Sequence, residues 1–88
     1  MYKLAVKESL DGKLKRLRRK DKDLLRMIES KVNDIQADPY RVKPLRKPLQ
    51  NKRRVHVAGP FVLIYEITEK EQLVTLLDFE HHDNIYKR

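Results

Sequence analysis

Tyr2, Leu4 and Val6 alternate with Lys3, Ala5 and Lys7, the period of two that a strand with one buried face produces. From Leu10 the spacing changes: Leu10, Leu14 and Leu17 fall at i, i+4 and i+7 and make one stripe of a helix. Leu25, Ile28, Val32 and Ile35, with Leu24 beside them, predict a second helix. Asp21 is placed to cap its start and Asp23 favours the dipole in its first turn. Asp38-Pro39 ends it, because proline disfavours helical backbone at the residue before it. Two amphipathic helices about three residues apart read as a helical hairpin.

The stretch Pro39 to Lys52 contains Pro39, Pro44 and Pro48 and shows no period, so an extended loop pinned by Leu45 and Leu49 is expected. Three apolar runs follow, Arg53–Val57, Phe61–Ile67 and Leu73–Phe79. Gly59-Pro60 and Thr68–Gln72 separate them, both short enough for antiparallel hairpins. The expected fold is α+β. An N-terminal strand and a helical hairpin precede a three-stranded antiparallel meander, the first strand joins the sheet, and the helices pack on one face.

At 88 residues the chain reads as a single domain, residues 1–88, with a thin core that a partner could supplement. Absence of cysteine excludes a disulfide framework, a thiolate zinc site and a cysteine nucleophile. The longest apolar run, Phe61–Tyr65, is far short of the ~20 residues of a membrane span, and the first ten residues lack the apolar core of a secretory signal. A soluble, cytoplasmic protein is expected.

Charge is unevenly spread. The net charge is +8, yet residues 1–56 hold 18 Lys/Arg against 7 Asp/Glu, and residues 57–88 hold 3 against 6. Arg41, Lys43, Arg46, Lys47, Lys52, Arg53 and Arg54 follow one another with no acid between them. A second block has seven bases from Lys13 to Lys22 against Asp21 alone; it either decorates a solvated helix or, like the first, attracts a polyanion. In the strand Arg53–Val57, Arg53 shares a face with Val55 and Val57, while Arg54 and His56 project from the other. If the helices cover the valine face, Arg54 and His56 line a bare, positive sheet surface beside the acid-free loop.

Glu80-His81-His82-Asp83 and Tyr86 close the chain. Histidine titrates near neutrality and suits proton transfer. A base that removes a ribose 2′-OH proton, a cation that stabilises the phosphorane and an acid that protonates the leaving 5′-oxygen would cleave RNA without metal. His56, His82, Arg54 and Tyr86 supply those side-chain types. His81 and His82 could equally end a strand and cap it through hydrogen bonds. Neighbouring strand residues face opposite ways, so His81 and His82 do not suit one metal ion. No metal and no small-molecule cofactor is expected.

The order strand, helical hairpin, meander, together with ADPYRVKPL after the second helix, the run FVLIYEI and the closing HHDNIY, resembles the RelE/ParE superfamily of bacterial and archaeal toxins. The resemblance covers nearly the whole chain. It implies a toxin of a type II toxin–antitoxin system, neutralised by an acidic, amphipathic antitoxin that folds on binding. RelE-type members cut mRNA in the ribosomal A site without metal; ParE-type members poison DNA gyrase. Position by position, it implies His82 as general acid or base, Tyr86 as a stacking or proton-transfer group, and Arg54 and His56 as phosphate contacts. Arg46, Lys47, Lys52, Arg53 and His81 would bind nucleic acid. Val62 departs from the pattern, standing where active relatives carry a phosphate-gripping arginine. The reading is therefore a ribosome-dependent mRNA endoribonuclease, with two alternatives: a ParE-like gyrase inhibitor, or a weak family member that retains only antitoxin or nucleic-acid binding.

Overall fold

In the computed structural model, which describes residues 1–81, strand β1 (Lys3–Val6) leads into helix α1 (Glu8–Lys20) and helix α2 (Lys22–Ala37). After the loop come β2 (Arg53–Ala58), β3 (Phe61–Thr68), a 3-10 turn at Glu69–Glu71, and β4 (Leu73–His81). The strands form one sheet in the order β1-β4-β3-β2. The meander is antiparallel as expected, but β1 lies parallel to β4, with Lys3 opposite Leu73 and Val6 opposite Leu76, so the sheet is mixed. Parallel neighbours need a crossover, and here everything from α1 to β3 supplies it.

Both helices form where their stripes place them. Leu10, Ile28, Val32 and Ile35 are buried against Leu63, Tyr65, Val74, Leu76 and Phe79, and Leu14, Leu17 and Leu24 pack around that core. The hairpin is tighter than expected: a single residue, Asp21, separates the helices. Its carboxylate accepts a hydrogen bond from the Leu24 backbone N–H at 3.1 Å, which satisfies one of the orphan donors of α2. At the β2–β3 turn Ala58 pairs with Phe61, leaving Gly59-Pro60 as the connection. Gly59 has φ +53, a left-handed conformation that glycine adopts without a Cβ clash. β1 is an edge strand; Tyr2 and Val6 reach the core, while Leu4 remains 40% exposed.

The opposite face of the sheet is not bare. Val62 and Ile64 point away from the helices, yet they are 0% and 5% exposed and form a second small cluster with Leu45 and Leu77. The loop between α2 and β2 closes it. Val42 packs on the helical side and Leu45 on the other, so the chain passes around the edge of β2. At the crossing Pro44 bridges Arg53, and the Leu45 N–H donates to the Lys52 carbonyl at 2.9 Å. On the helical side the buried Tyr65 hydroxyl donates to the Pro39 carbonyl at 2.7 Å, tying the start of the loop to the sheet. No helix of the described residues is long and apolar enough to cross a membrane.

Tyr65→Phe leaves the Pro39 carbonyl without that donor and lowers unfolding free energy by about 0.5–1.5 kcal/mol. Urea denaturation checks this as a lower midpoint at an unchanged slope.

Candidate nucleic-acid interface

β2 sorts the cations by alternation. Arg54 stands opposite Ile64 and His56 opposite Val62, which puts both on the face turned away from the helices. Lys52 joins them, since it lines a cleft of about 170 Å3 on that face with Lys7, Leu45, Leu49, Ile64, Leu77 and the acid Asp78. Arg46 and Lys47 are exposed in the loop that forms one wall of the cleft. The structure thus brings together five of the cations and imidazoles that the sequence singles out: Arg46, Lys47, Lys52, Arg54 and His56.

Arg53 and His81 are placed elsewhere. Arg53 is on the helical side: its guanidinium donates to the Val42 carbonyl and lies 5.0 Å from the centre of the Tyr40 ring, so it braces the loop from beneath. The His81 ring meets Phe61 edge-on at 5.9 Å, and Phe61 stacks on Phe79. That is the face opposite His56. His81, expected to bind nucleic acid with the loop cations, therefore does not share a face with Arg54 and His56. His82 and Tyr86 lie outside the described residues.

The expectation of a bare face also needs correcting. Its centre is the Val62–Ile64–Leu45–Leu77 cluster, so the polar surface runs around an apolar patch. Val62, where the resemblance implies an arginine, has no exposure at all. The far side of the face is acidic: Asp78 stands opposite Ile64 and Glu80 opposite Val62 on β4. Lys13 reaches from α1 over the stretch of β4 that β1 leaves unpaired and contacts Asp78 at 3.0 Å and Glu80 at 2.7 Å. Partial burial by itself would lower the Lys13 pKa, but hydrogen bonds to Glu80 and Asp78 outweigh it and hold the ammonium above its ordinary value. A cation thus stays beside the two carboxylates.

Sequence reasoning missed a further polar cluster. The Tyr2 hydroxyl donates to both oxygens of Glu69, at 2.6 and 2.9 Å, and Tyr40 donates to Oε1 at 2.8 Å. The cluster joins the start of β1, the root of the basic loop and the turn before β4. The hydrogen bond to Glu69 pushes the Tyr2 phenol up to about 12 and raises Tyr40 too, while the two hydroxyls hold Glu69 below the usual carboxylate range. Tyr40 is thus engaged in fixing the loop. Nothing in the local spacing announces this, because the three residues are far apart in the chain.

Comparison with known proteins identifies the family and the fold. The profile of a family described as "ParE toxin of type II toxin-antitoxin system, parDE" matches residues 4–86. A protein of Methanocaldococcus jannaschii named "Putative toxin RelE4" is 41% identical over 88 residues, covering 100% of this chain and 94% of the relative. Among solved structures, a YoeB/ParE toxin from Agrobacterium tumefaciens superposes with a TM-score of 0.81 at 14% identity, over 91% of this chain and 98% of the other. The toxin–antitoxin complex RelBE2 from Mycobacterium tuberculosis gives 0.74 at 26% identity, over 91% and 96%. The fold is that of a RelE/ParE-type toxin. The chain belongs to the ParE toxin family of type II toxin–antitoxin systems.

Two outcomes follow from the polar clusters and the buried face. Glu69 has a lowered folded pKa, so its contribution to stability is complete above pH 4.5 and disappears as pH falls through the lower folded value. Tyr2 has a raised one, so its contribution is complete below pH 10.0 and is lost as pH rises toward about 12. Melting temperature against pH will decline at both extremes, and Glu69→Gln will flatten both limbs. Separately, Val62→Arg overfills a closed cluster and buries a charge, and denaturant titration will show a loss of at least about 2 kcal/mol.

Proposed function

We propose that this toxin acts on RNA, as a ribosome-dependent, metal-independent endoribonuclease of translated mRNA. The observation that carries the reading is the alternation of Lys52, Arg54 and His56 onto one side of β2, beside the exposed Arg46 and Lys47 of an acid-free loop. A polyanion running along the edge of β2 meets five cationic or protonatable side chains in succession. The chemistry is in-line attack of a ribose 2′-oxygen on its own phosphate. A base takes the 2′-proton, the P–O5′ bond breaks, and an acid returns a proton to the 5′-oxygen. Arg54 offsets the charge gathering on the phosphorane and His56 contacts the same phosphate; His82 and Tyr86 take the proton-transfer and stacking roles that the family resemblance implies.

The partner that silences this activity is a cognate antitoxin. The Mycobacterium tuberculosis neighbour is a toxin–antitoxin complex, and a surface this basic suits an acidic segment that folds as it binds. The workplace is the cytoplasm, where ribosomes and mRNA are.

A second reading, inhibition of DNA gyrase without nuclease activity, is favoured by one observation. Val62 is buried at the position of the family arginine, which removes one cation from the phosphate.

Primer extension on mRNA from translating ribosomes, after expression with and without the antitoxin, separates the two. The nuclease reading expects new 5′ ends that vanish with the antitoxin. Arg54→Ala reduces them about 10²–10³-fold, as for loss of one donor to the developing anion, and His82→Ala reduces them further. Intact mRNA together with blocked supercoiling by the purified protein would instead establish the gyrase reading.

A further inference from the structure

The second basic block is not explained by the surface on β2, nor fully by the helices that carry it. Of its seven cations, Lys13 is engaged with Asp78 and Glu80, and Lys15 pairs with Asp11 at 3.2 Å. The other five, Arg16, Arg18, Arg19, Lys20 and Lys22, are exposed, and among the described residues none forms an ion pair with a carboxylate. Asp21, the acid in their midst, turns its carboxylate to the α2 N-terminus.

A structural explanation covers part of this. Arg18, Arg19 and Lys20 occupy the last turn of α1, where cations complement the helix dipole. Arg16 precedes that turn. Lys22 is the first residue of α2, where the dipole presents its positive end and a cation is unfavourable. It also stands four residues before Arg26 on the same helix, a like-charge spacing that costs rather than gains stability.

The path of the chain puts this turn in the helical layer, on the other side of the sheet from Arg54 and His56. α1 starts where the Lys7 N–H meets the Leu76 carbonyl, and by Lys13 it is level with Glu80, so it runs along β4 toward that strand's end. The turn at Asp21 lies about 12 Å further on, at 1.5 Å per residue. α2 then runs back about 24 Å over its 16 residues, to where Gln36 and Tyr2 exchange hydrogen bonds and the basic loop begins. The basic loop thus begins at the end of α2 remote from the turn, while Arg54 and His56, level with Asp78 and Glu80, are separated from the turn by the sheet itself.

We infer that the α1–α2 turn is a second RNA-binding surface, one that takes the phosphate backbone of a base-paired stem. Residues 3–39 contain no aromatic side chain, so the turn offers no platform for stacking unpaired bases. What it offers is a convex array of guanidinium and ammonium groups, suited to the phosphates of a duplex, whose bases are already stacked. The inference extends the RNA-directed reading to a second site, and because its readout is binding, a chain that cuts no mRNA can still pass the test.

The experiment is fluorescence anisotropy with two probes, a fully paired RNA stem-loop and an unstructured oligouridine, over a range of salt. Arg16→Gln/Lys22→Gln changes the two positions the dipole does not explain. It weakens stem-loop binding on the order of tenfold and lowers the slope of log K against log salt by about two, near 0.9 for each lost phosphate contact. Oligouridine binding changes less than about twofold, whereas Arg46→Gln/Lys47→Gln shows the reverse preference. Lys3→Gln/Lys70→Gln removes the same charge from exposed positions elsewhere and controls for net charge. Melting temperature, followed by circular dichroism on the same samples, holds or rises, because Lys22→Gln relieves the α2 N-terminus. Wild-type affinity of the Arg16/Lys22 variant for the stem-loop overturns the inference, as does an equal loss in the control pair.

Discussion

The architecture depends on β3 being buried on both faces. Leu63 and Tyr65 face the helices, Val62 and Ile64 face away, and none of the four is more than 5% exposed. A helical hairpin covers only one side of a sheet, so the other side needs a lid. The loop between α2 and β2 supplies it, carrying Leu45 around the edge of β2 and onto Val62 and Ile64. This basic, acid-free segment of the chain is therefore also a packing element. Its cations are held where its leucines must go, and the position of the proposed RNA surface follows from a hydrophobic requirement.

Electrostatics complete this division. Three acids of the second half of the chain have identified partners: Asp78 and Glu80 bond Lys13 at the open stretch of β4, and Glu69 accepts from two tyrosine hydroxyls at the opposite end of that strand. Arg53 works from the helical side, holding Val42 and Tyr40, so the first cation of β2 fastens the loop that displays Arg46 and Lys47. Exposed ion pairs contribute little each. What matters here is the layout of the face: cations along β2 and the loop, acids along β4, with Asp78 and Lys52 lining one cleft between them.

Much of the fold was legible in the sequence because it rests on periodicity. The stripes at Leu10–Leu17 and Leu25–Ile35, the Asp21 cap and the three runs of the meander are local signals, and local physics reproduces them. So does the division of Arg54 and His56 from Arg53, which needs only alternation along a strand. The parallel pairing of β1 with β4 was not legible, since strands some seventy residues apart in the chain leave no mark in a local window. Neither was the joining of Tyr2, Tyr40 and Glu69. The covered second face did have a signal. Phe61–Tyr65 is an unbroken apolar run, which is what a strand buried on both sides looks like, whereas a half-exposed strand alternates. Read that way, it calls for a lid, and Leu45 and Leu49 are the apolar residues of the loop placed to form one.

The same reasoning bears on what Val62 means. An arginine at this position has to leave the sheet toward solvent beside His56, and that requires the neighbouring apolar cluster to stay open. In this chain the loop leucines have closed it, so valine is the residue that the packing demands. Cation and lid compete for one position. On the RNA-directed reading proposed above, a toxin built this way trades a phosphate contact at the middle of the sheet for a more firmly seated loop, and its proposed cationic contacts are at the periphery: the edge of β2, the loop and the helical turn. Affinity distributed over such distant points favours a large, structured polyanion over a short single strand, which is consistent with a substrate presented by a much larger assembly.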